Sequence, residues 1–570
     1  MAVASRAADL ARIAAGLAGS ASVELPDGLA LWELAGGRPA KARPQRAEDP
    51  ARALGAALEK RLTASERQRG AHYSPAVLAA RLAELALPRV EVGRPPFVCD
   101  PACGAGSLLL AAAERIAGAG VPRRRIVEDL VFGADVDPLS VAVTEAALAL
   151  WSGGVAPAAG HLVVADPLVD GTHAWRAAPD GFDAVVGNPP FQGQLARATA
   201  RSRLDAEVLR SRFGPEVVTP YVDTAALFLL AAADMTARGG RVALVQPASV
   251  AAARDAAPVR RALAARAAVV ELWAPAARLF AASVHVCVPV LEVGRRGRSD
   301  WARMVARARG VPAVRLAGGT TVGQVARVVA GFRDEYYGLA AHVREADPVG
   351  PDDGWPLVTS GVIDLGRCRW GERPVRFAKR LWDRPVVDRA AVDADGGRAA
   401  ALLRRTGGPK VVVASQTKVV EVAVDEAGTW APCTPVISVV PGAGEGSGRP
   451  GGPVPGTWEL ATALAAPPTV AWLLDHTEGT GLQPGALRVT APLLALVPLP
   501  VDGEAWREAA RALSGGDLAG FAVAASAAHG LQGSAAAAVV DWWWARLPAD
   551  RRGGGAVTGR GGAPSASLAG

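Results

Sequence analysis

The chain has 570 residues, half of them apolar, a mean hydropathy of +0.19, a formal charge of +7 and five cysteines. That length exceeds one ordinary core and predicts two or more domains. The most apolar stretches, around Ala225–Ala233 and Val284–Val293, are too short for a membrane span of roughly 20 residues, and Arg6, Asp9 and Arg12 break any signal-peptide core. The expected setting is therefore cytoplasmic, without a membrane.

Cys99, Cys103, Cys287, Cys368 and Cys433 form no C-x-x-C pair, and histidine is scarce, which argues against a disulfide framework or a structural zinc site. The basic residues are almost all arginine. The charge permits a polyanionic partner without requiring one.

In chain order, residues 1–55 are Ala-rich with no strong pattern and read as an N-terminal extension. Residues 56–86 read as helical, broken at Tyr73-Ser74-Pro75. From Pro96 to about Val293, short β-like runs alternate with Ala/Leu-rich helical runs. The β-like runs are Phe97–Cys99, Leu130–Ala134, Leu162–Ala165, Ala184–Val186, Arg241–Val245, Val269–Trp273 and Val286–Leu291. This alternation predicts a doubly wound, largely parallel α/β sheet. Beyond about residue 310 isolated tryptophans and turn signals increase. Val411–Val424, Val436–Val440 and Ala491–Leu499 read as strands, and Leu460–Leu474 and Gly520–Leu547 as helices. Pro441–Gly456 reads as a Gly/Pro-rich loop, and residues 549–570 as a disordered tail.

Four motifs carry chemistry. Asp100-Pro101-Ala102-Cys103-Gly104-Ala105-Gly106-Ser107 joins the first predicted strand to a helix, and a Gly-rich turn there lets backbone approach a bound nucleoside. Asp135, in Gly133-Ala134-Asp135-Val136-Asp137-Pro138, ends the second strand, where a carboxylate can take ribose hydroxyls. Asp166, in Ala165-Asp166-Pro167, ends the third and can take an adenine amine. Each acid alone is more often a helix cap; their even spacing after the Gly loop strengthens the functional reading. Asn188-Pro189-Pro190-Phe191 follows the fourth strand. Its prolines fix the backbone and supply carbonyl acceptors, Asn188 adds an amide oxygen, and Phe191 offers a flat face to a planar base. Cys103, within the Gly loop, reads as a packing residue rather than a nucleophile.

The order of these motifs resembles the gamma-class adenine-N6 DNA methyltransferases of bacterial restriction–modification and phage-defence systems. Gly70-Ala71-His72-Tyr73-Ser74-Pro75 resembles that family's upstream segment at the methionine end of the cofactor, with Ser74 where Thr is usual. Asp223–Phe228 and Arg238–Pro247 are similar to its next helix and strand. Phe191 stands where Tyr is usual, and Asp135 where Glu is common. Arg404–Gly407 and Leu487–Pro500 are similar to its target-recognition region.

The resemblance implies a Rossmann-like S-adenosylmethionine-dependent methyltransferase domain over 56–310 and a C-terminal mixed α+β target-recognition domain over 330–547. S-adenosyl-L-methionine would be held by Tyr73, Ser74, Asp100, Ala102, Gly104, Gly106, Asp135 and Asp166. Asn188, Pro189, Pro190 and Phe191 would act on an adenine flipped out of double-stranded DNA. No metal is required. A separate restriction nuclease or defence subunit is an expected partner.

Competing readings are an RNA methyltransferase, a protein-glutamine methyltransferase with a similar Asn-Pro-Pro-aromatic loop, and a non-catalytic DNA-recognition subunit. Asp27 and Glu33 superficially resemble a nuclease site, but Ala35 occupies its lysine position. Trp542-Trp543-Trp544 reads as helix packing rather than intercalation. Lys410 and Lys418, flanking a β-like run, are candidates for phosphate contact or for a solvated edge.

Overall fold

The computed structural model describes residues 2–63, 74–175, 179–191, 203–275, 285–298, 300–347, 352–442, 454–478, 480–481 and 486–549. It divides into two compact units, Met1–Ala308 and Arg309–Gly570.

In the first unit, β1 (Val98–Asp100), β2 (Val131–Asp135), β3 (Leu162–Val164), β4 (Phe182–Gly187) and β5 (Thr236–Leu244) are joined in the order β3-β2-β1-β4-β5, all in parallel. Three further strands follow: β6 (Gln246–Pro247), β7 (Ala267–Trp273) and β8 (Val286–Val293). β8 lies antiparallel to β5, β6 and β7, closing that edge. This is the α/β, Rossmann-like architecture that the alternating runs predict.

Both faces of the sheet are covered, so its strands are apolar on both sides. Along β4, Ala184 and Val186 join one core with Val98 and Val131. Phe182 and Val185 join the other with Cys99 and Phe132.

Seven helices of this unit matter to the site. The residues of the N-terminal extension form α1 (Ala2–Ala21), α2 (Ala30–Ala35) and α3 (Pro50–Glu59), whose Leu10, Leu17, Leu31 and Leu54 are buried. They pack on α6 (Pro138–Ser152), where Glu145 accepts the Ala30 N–H at 2.8 Å. α4 (Ala76–Ala86) and α5 (Ser107–Gly118) lie against each other. α7 (Thr224–Met235) starts at Asp223, whose side chain caps it through the Ala225 N–H.

The second unit is mixed α+β. One sheet has the order Val422–Asp425, Lys410–Val413, Ile437–Pro441, Ala326–Ala330; another runs Val343–Glu345, Pro385–Val387, Trp355–Val358, Ala431–Pro432. Helices Thr457–Ala465, Pro467–Thr477, Leu518–Ala528 and Gly533–Arg546 follow. The break within the predicted helix 460–474 falls at Pro467-Pro468.

Three expectations for this unit need correction or sharpening. Ala491–Leu499 is not a strand: Ala491–Ala495 is helical, with Pro492 in its first turn. An unbroken apolar run has no period that separates helix from strand. Lys410 is neither a phosphate contact nor a solvated edge. It is fully buried, because the register sets it directly opposite Asp425, to which its Nζ bonds at 2.5 Å. Lys418 is exposed. Of the three tryptophans, Trp543 is buried edge-on against Phe521 at 5.9 Å, as helix packing requires.

Candidate active site

In an open parallel sheet, ligands bind beyond the strand C-termini, where the strand order reverses. Here the reversal lies between β1 and β4, paired through Val98–Ala184 and Cys99–Val185. The Gly loop leaves β1 and the Asn-Pro-Pro-Phe segment leaves β4, so strand order alone makes them neighbours.

The loop is held from several sides. The Cys103 N–H donates to the Ala134 carbonyl at 2.8 Å, and the Gly106 N–H to the Cys103 carbonyl at 2.8 Å. Thr144 of α6 donates its hydroxyl to the Gly104 carbonyl at 2.7 Å. Gly106 has φ +80°, and a Cβ there would lie 2.9 Å from the Thr144 methyl, so the position excludes a side chain on two counts. Thr144 escapes sequence reading, being one of several polar residues in an Ala/Leu/Val-rich helix.

Asp100 ends β1 and is 1% exposed. One carboxylate oxygen accepts the Ala102 N–H at 3.0 Å, and the other is buried with no protein partner. Burial pushes this carboxyl up to about 8, opposed by the Ala102 N–H and assisted by the charge of Asp135. A Cβ on Gly187, at the end of β4, would lie 3.1 Å from the Asp100 carboxylate, so glycine there lets the two strand ends close up.

Asp135 sits at the end of β2. Its oxygens accept the Gly104 N–H at 3.0 Å and the Asp137 N–H at 2.9 Å, so it braces the Gly loop. Burial raises its carboxyl, and these two N–H groups counter that. Each oxygen keeps a second lone pair. Asp137 caps α6 through Leu139, Ser140 and the Ser140 hydroxyl. Asp166 follows β3 and caps the short turn Pro167–Asp170, accepting the Leu168 N–H at 3.1 Å. The strand ends of β2 and β3 meet where the Ala165 N–H donates to the Asp135 carbonyl at 3.1 Å.

Asn188 donates its side-chain N–H to the Ser74 hydroxyl at 3.2 Å, across 114 residues of sequence. Ser74 is buried just ahead of α4. The bond leaves the Asn188 amide oxygen as its open end. Pro189 is buried, Pro190 and Phe191 are half-buried, and Phe191 packs at the margin of the sheet's first core. Tyr73 lies outside the described residues. Cys103 is buried and its thiol is raised well above its ordinary value, chiefly by burial, so it stays protonated.

Gln246, after β5, is fully buried. Its amide N–H groups bond to the Ala225 and Val245 carbonyls at 2.9 and 3.0 Å, and its oxygen has no partner. Among the described residues no group of His, Cys, Asp and Glu could hold a metal, and no helix is long and apolar enough to cross a membrane.

The unpartnered, buried Asp100 oxygen and the spare acceptor capacity of Asp135 and Asn188 fit a cationic nucleoside such as S-adenosylmethionine. Residues 53–308 match the N-6 DNA methylase family model. No curated protein matches the sequence.

Among solved structures, a modification subunit assigned to a type I restriction enzyme of Vibrio vulnificus YJ016 is 18% identical, with TM-score 0.36, over 49% of this chain and 61% of that one. The type I restriction–modification methyltransferase subunit of Streptococcus thermophilus is 23% identical, with TM-score 0.34, over 46% and 53%. The type IIG restriction endonuclease BpuSI is 12% identical, with TM-score 0.42, over 96% and 78%. The chain thus spans about three fifths of the Vibrio subunit's length and half of the Streptococcus one's. Residues 53–308 are thus similar to the N-6 DNA methylase family, and they lie on the Rossmann-like α/β sheet described above.

Proposed function

We propose that this protein is a site-specific DNA methyltransferase that modifies the N6 amine of adenine. The supporting observation is the Asn188–Ser74 hydrogen bond beside the Gly loop. It engages one Asn188 N–H and leaves the amide oxygen as an acceptor. Two prolines follow that have carbonyls but no N–H. The Asn188 oxygen and these carbonyls are acceptors, which suit an NH2 target and repel a carbonyl.

S-adenosylmethionine supplies an electrophilic methyl group on a sulfonium. Tyr73 and Ser74 serve its methionine end, and Asp100, Ala102, Gly104 and Gly106 form the loop beside it. Asp135 takes the ribose and Asp166 the adenine amine. The target adenine, swung out of the duplex at a cost of a few kcal/mol, stacks on Phe191. The Asn188 oxygen and the Pro189 carbonyl accept the N6 hydrogens and hold the nitrogen lone pair toward the methyl group. The nitrogen gives up one proton to solvent after transfer. Positioning and fixed dipoles lower the barrier, without a covalent nucleophile.

Residues 56–310 carry catalysis and 330–547 target recognition. A cytoplasmic role in restriction–modification or phage defence, beside a separate nuclease, fits this activity. The test is methylation-aware sequencing of DNA from cells expressing the full chain. N6-methyladenine in one sequence context, lost on Asn188→Ala, is expected. Modification of RNA or of protein glutamine instead, or of no base at all, would overturn the reading.

A further inference from the structure

Residues 367–384 hold seven basic residues against two acidic ones, a net +5 in 18 positions of a chain whose total is +7. Within them lies a two-stranded hairpin, Val375–Phe377 with Arg380–Trp382. Its inner side is anchored. Val375, Phe377 and Trp382 are buried, and Tyr336 packs on Phe377 at 4.7 Å while its hydroxyl accepts the Ala378 N–H at 2.8 Å. Asp364, buried at the base, pairs with Arg369 and Arg373.

The outward side differs. Arg376 and Leu381 stand directly opposite each other and both are exposed, Leu381 at 68%. Lys379 is exposed at the turn; Arg380 is exposed too, but the register pairs it with Phe377, so it stands at the edge of the anchored face. Among the described residues no carboxylate pairs with Arg376, Lys379 or Arg380; Arg380 only lies over the Trp382 ring at 4.2 Å. The turn itself is costly. Ala378 and Lys379 have φ of +49° and +64°, in a two-residue turn that ordinarily takes Asn-Gly. Side chains held there against the backbone's preference, on a rigidly anchored hairpin with unneutralised charge, mark a binding element.

We propose that this hairpin is a contact surface for double-stranded DNA, with Arg376, Lys379 and Arg380 on phosphates and Leu381 against the sugar or groove wall; the choice of DNA rests on the function proposed above. Phosphates satisfy cations that no carboxylate satisfies, and apolar residues commonly accompany them in a groove.

The experiment measures binding of the full chain to a short fluorescent duplex by anisotropy across a salt series. Replacing Arg376, Lys379 and Arg380 together by Gln should flatten the slope of log affinity against log salt by roughly 2–3, since each phosphate contact contributes about 0.9. Cofactor binding should be unchanged. Lys379→Gly, which suits the left-handed backbone and threatens no fold, should flatten it by about 1. Leu381→Ala should weaken binding without changing the slope.

Wild-type slopes in the triple and glycine variants would overturn the hairpin assignment while leaving the methyltransferase reading intact. A flattened slope in a chain that methylates no DNA would uphold the hairpin and overturn that reading. Tighter, equally salt-dependent binding to single-stranded RNA would overturn duplex DNA as the partner.

Discussion

Two buried carboxylates, one in each unit, behave differently. Asp425 in the second unit accepts the Lys410 ammonium at 2.5 Å and the backbone N–H groups of Gly428, Thr429 and Trp430. Asp100 in the first is equally buried, yet one of its oxygens has no protein partner. A buried polar group is ordinarily satisfied, and leaving one open costs free energy. Asp425 spends its whole bonding capacity on its own fold, as a structural cross-link does. Asp100 keeps part of it open at the end of β1, beside the segment that leaves β4, where a ligand site is expected.

Lys410→Met should give the largest loss. It leaves the Asp425 charge buried without its cation and should cost roughly 3–5 kcal/mol of unfolding free energy, measured by denaturant titration, with cofactor affinity in the folded protein unchanged. A loss below about 1 kcal/mol would remove the contrast with Asp100.

The pH profile of Asp100→Asn comes next. An acid raised to about 8 from 3.8 binds its proton more tightly when folded. Its stability contribution is therefore complete below the unfolded value and is lost as pH rises toward the folded one. The Asn variant has no such loss. It should gain on wild type by about 3 kcal/mol between pH 5 and 7, read from denaturation midpoints. A difference independent of pH would show that Asp100 is ionised throughout.

Asp135→Ala sharpens the contrast from the side of a shared group. Its carboxylate already holds the Gly104 and Asp137 N–H groups, so both folding stability and S-adenosylmethionine affinity should fall. Loss of the charge-assisted ribose bonds should cost roughly 1.5–3 kcal/mol of binding by calorimetry. Undiminished affinity in the folded variant would make Asp135 a brace alone. The smallest effect is at Phe191. Phe191→Ala should lose stacking of roughly 1–3 kcal/mol, with lower turnover and weaker 2-aminopurine fluorescence at the target, while Phe191→Tyr keeps most activity. Normal flipping in Phe191→Ala would leave the segment as a structural turn.

Sequence alone determined what is local. A glycine that must take a positive φ at 106, an Asp ahead of Pro at 137 and 166, and a Pro-Pro step at 189–190 constrain their own backbone, so the turns were legible without partners. The β-like runs of the first unit were equally legible, because strands buried on both faces are apolar throughout, whereas Val411–Val424 proved to be two paired strands, Lys410–Val413 and Val422–Asp425. Only the tertiary structure decided what depends on pairing. Strand order set β4 beside β1, and the packing of α4 against β4 set Asn188 beside Ser74. Register turned Lys410 from an apparent surface cation into half of a buried pair. Packing made Ala491–Ala495 a helix and gave Thr144 its hold on the Gly loop. The physical reason is one and the same. Local conformational preference is written in neighbouring residues, whereas the partner of a strand, a charge or a hydroxyl is chosen by what long-range burial leaves within reach.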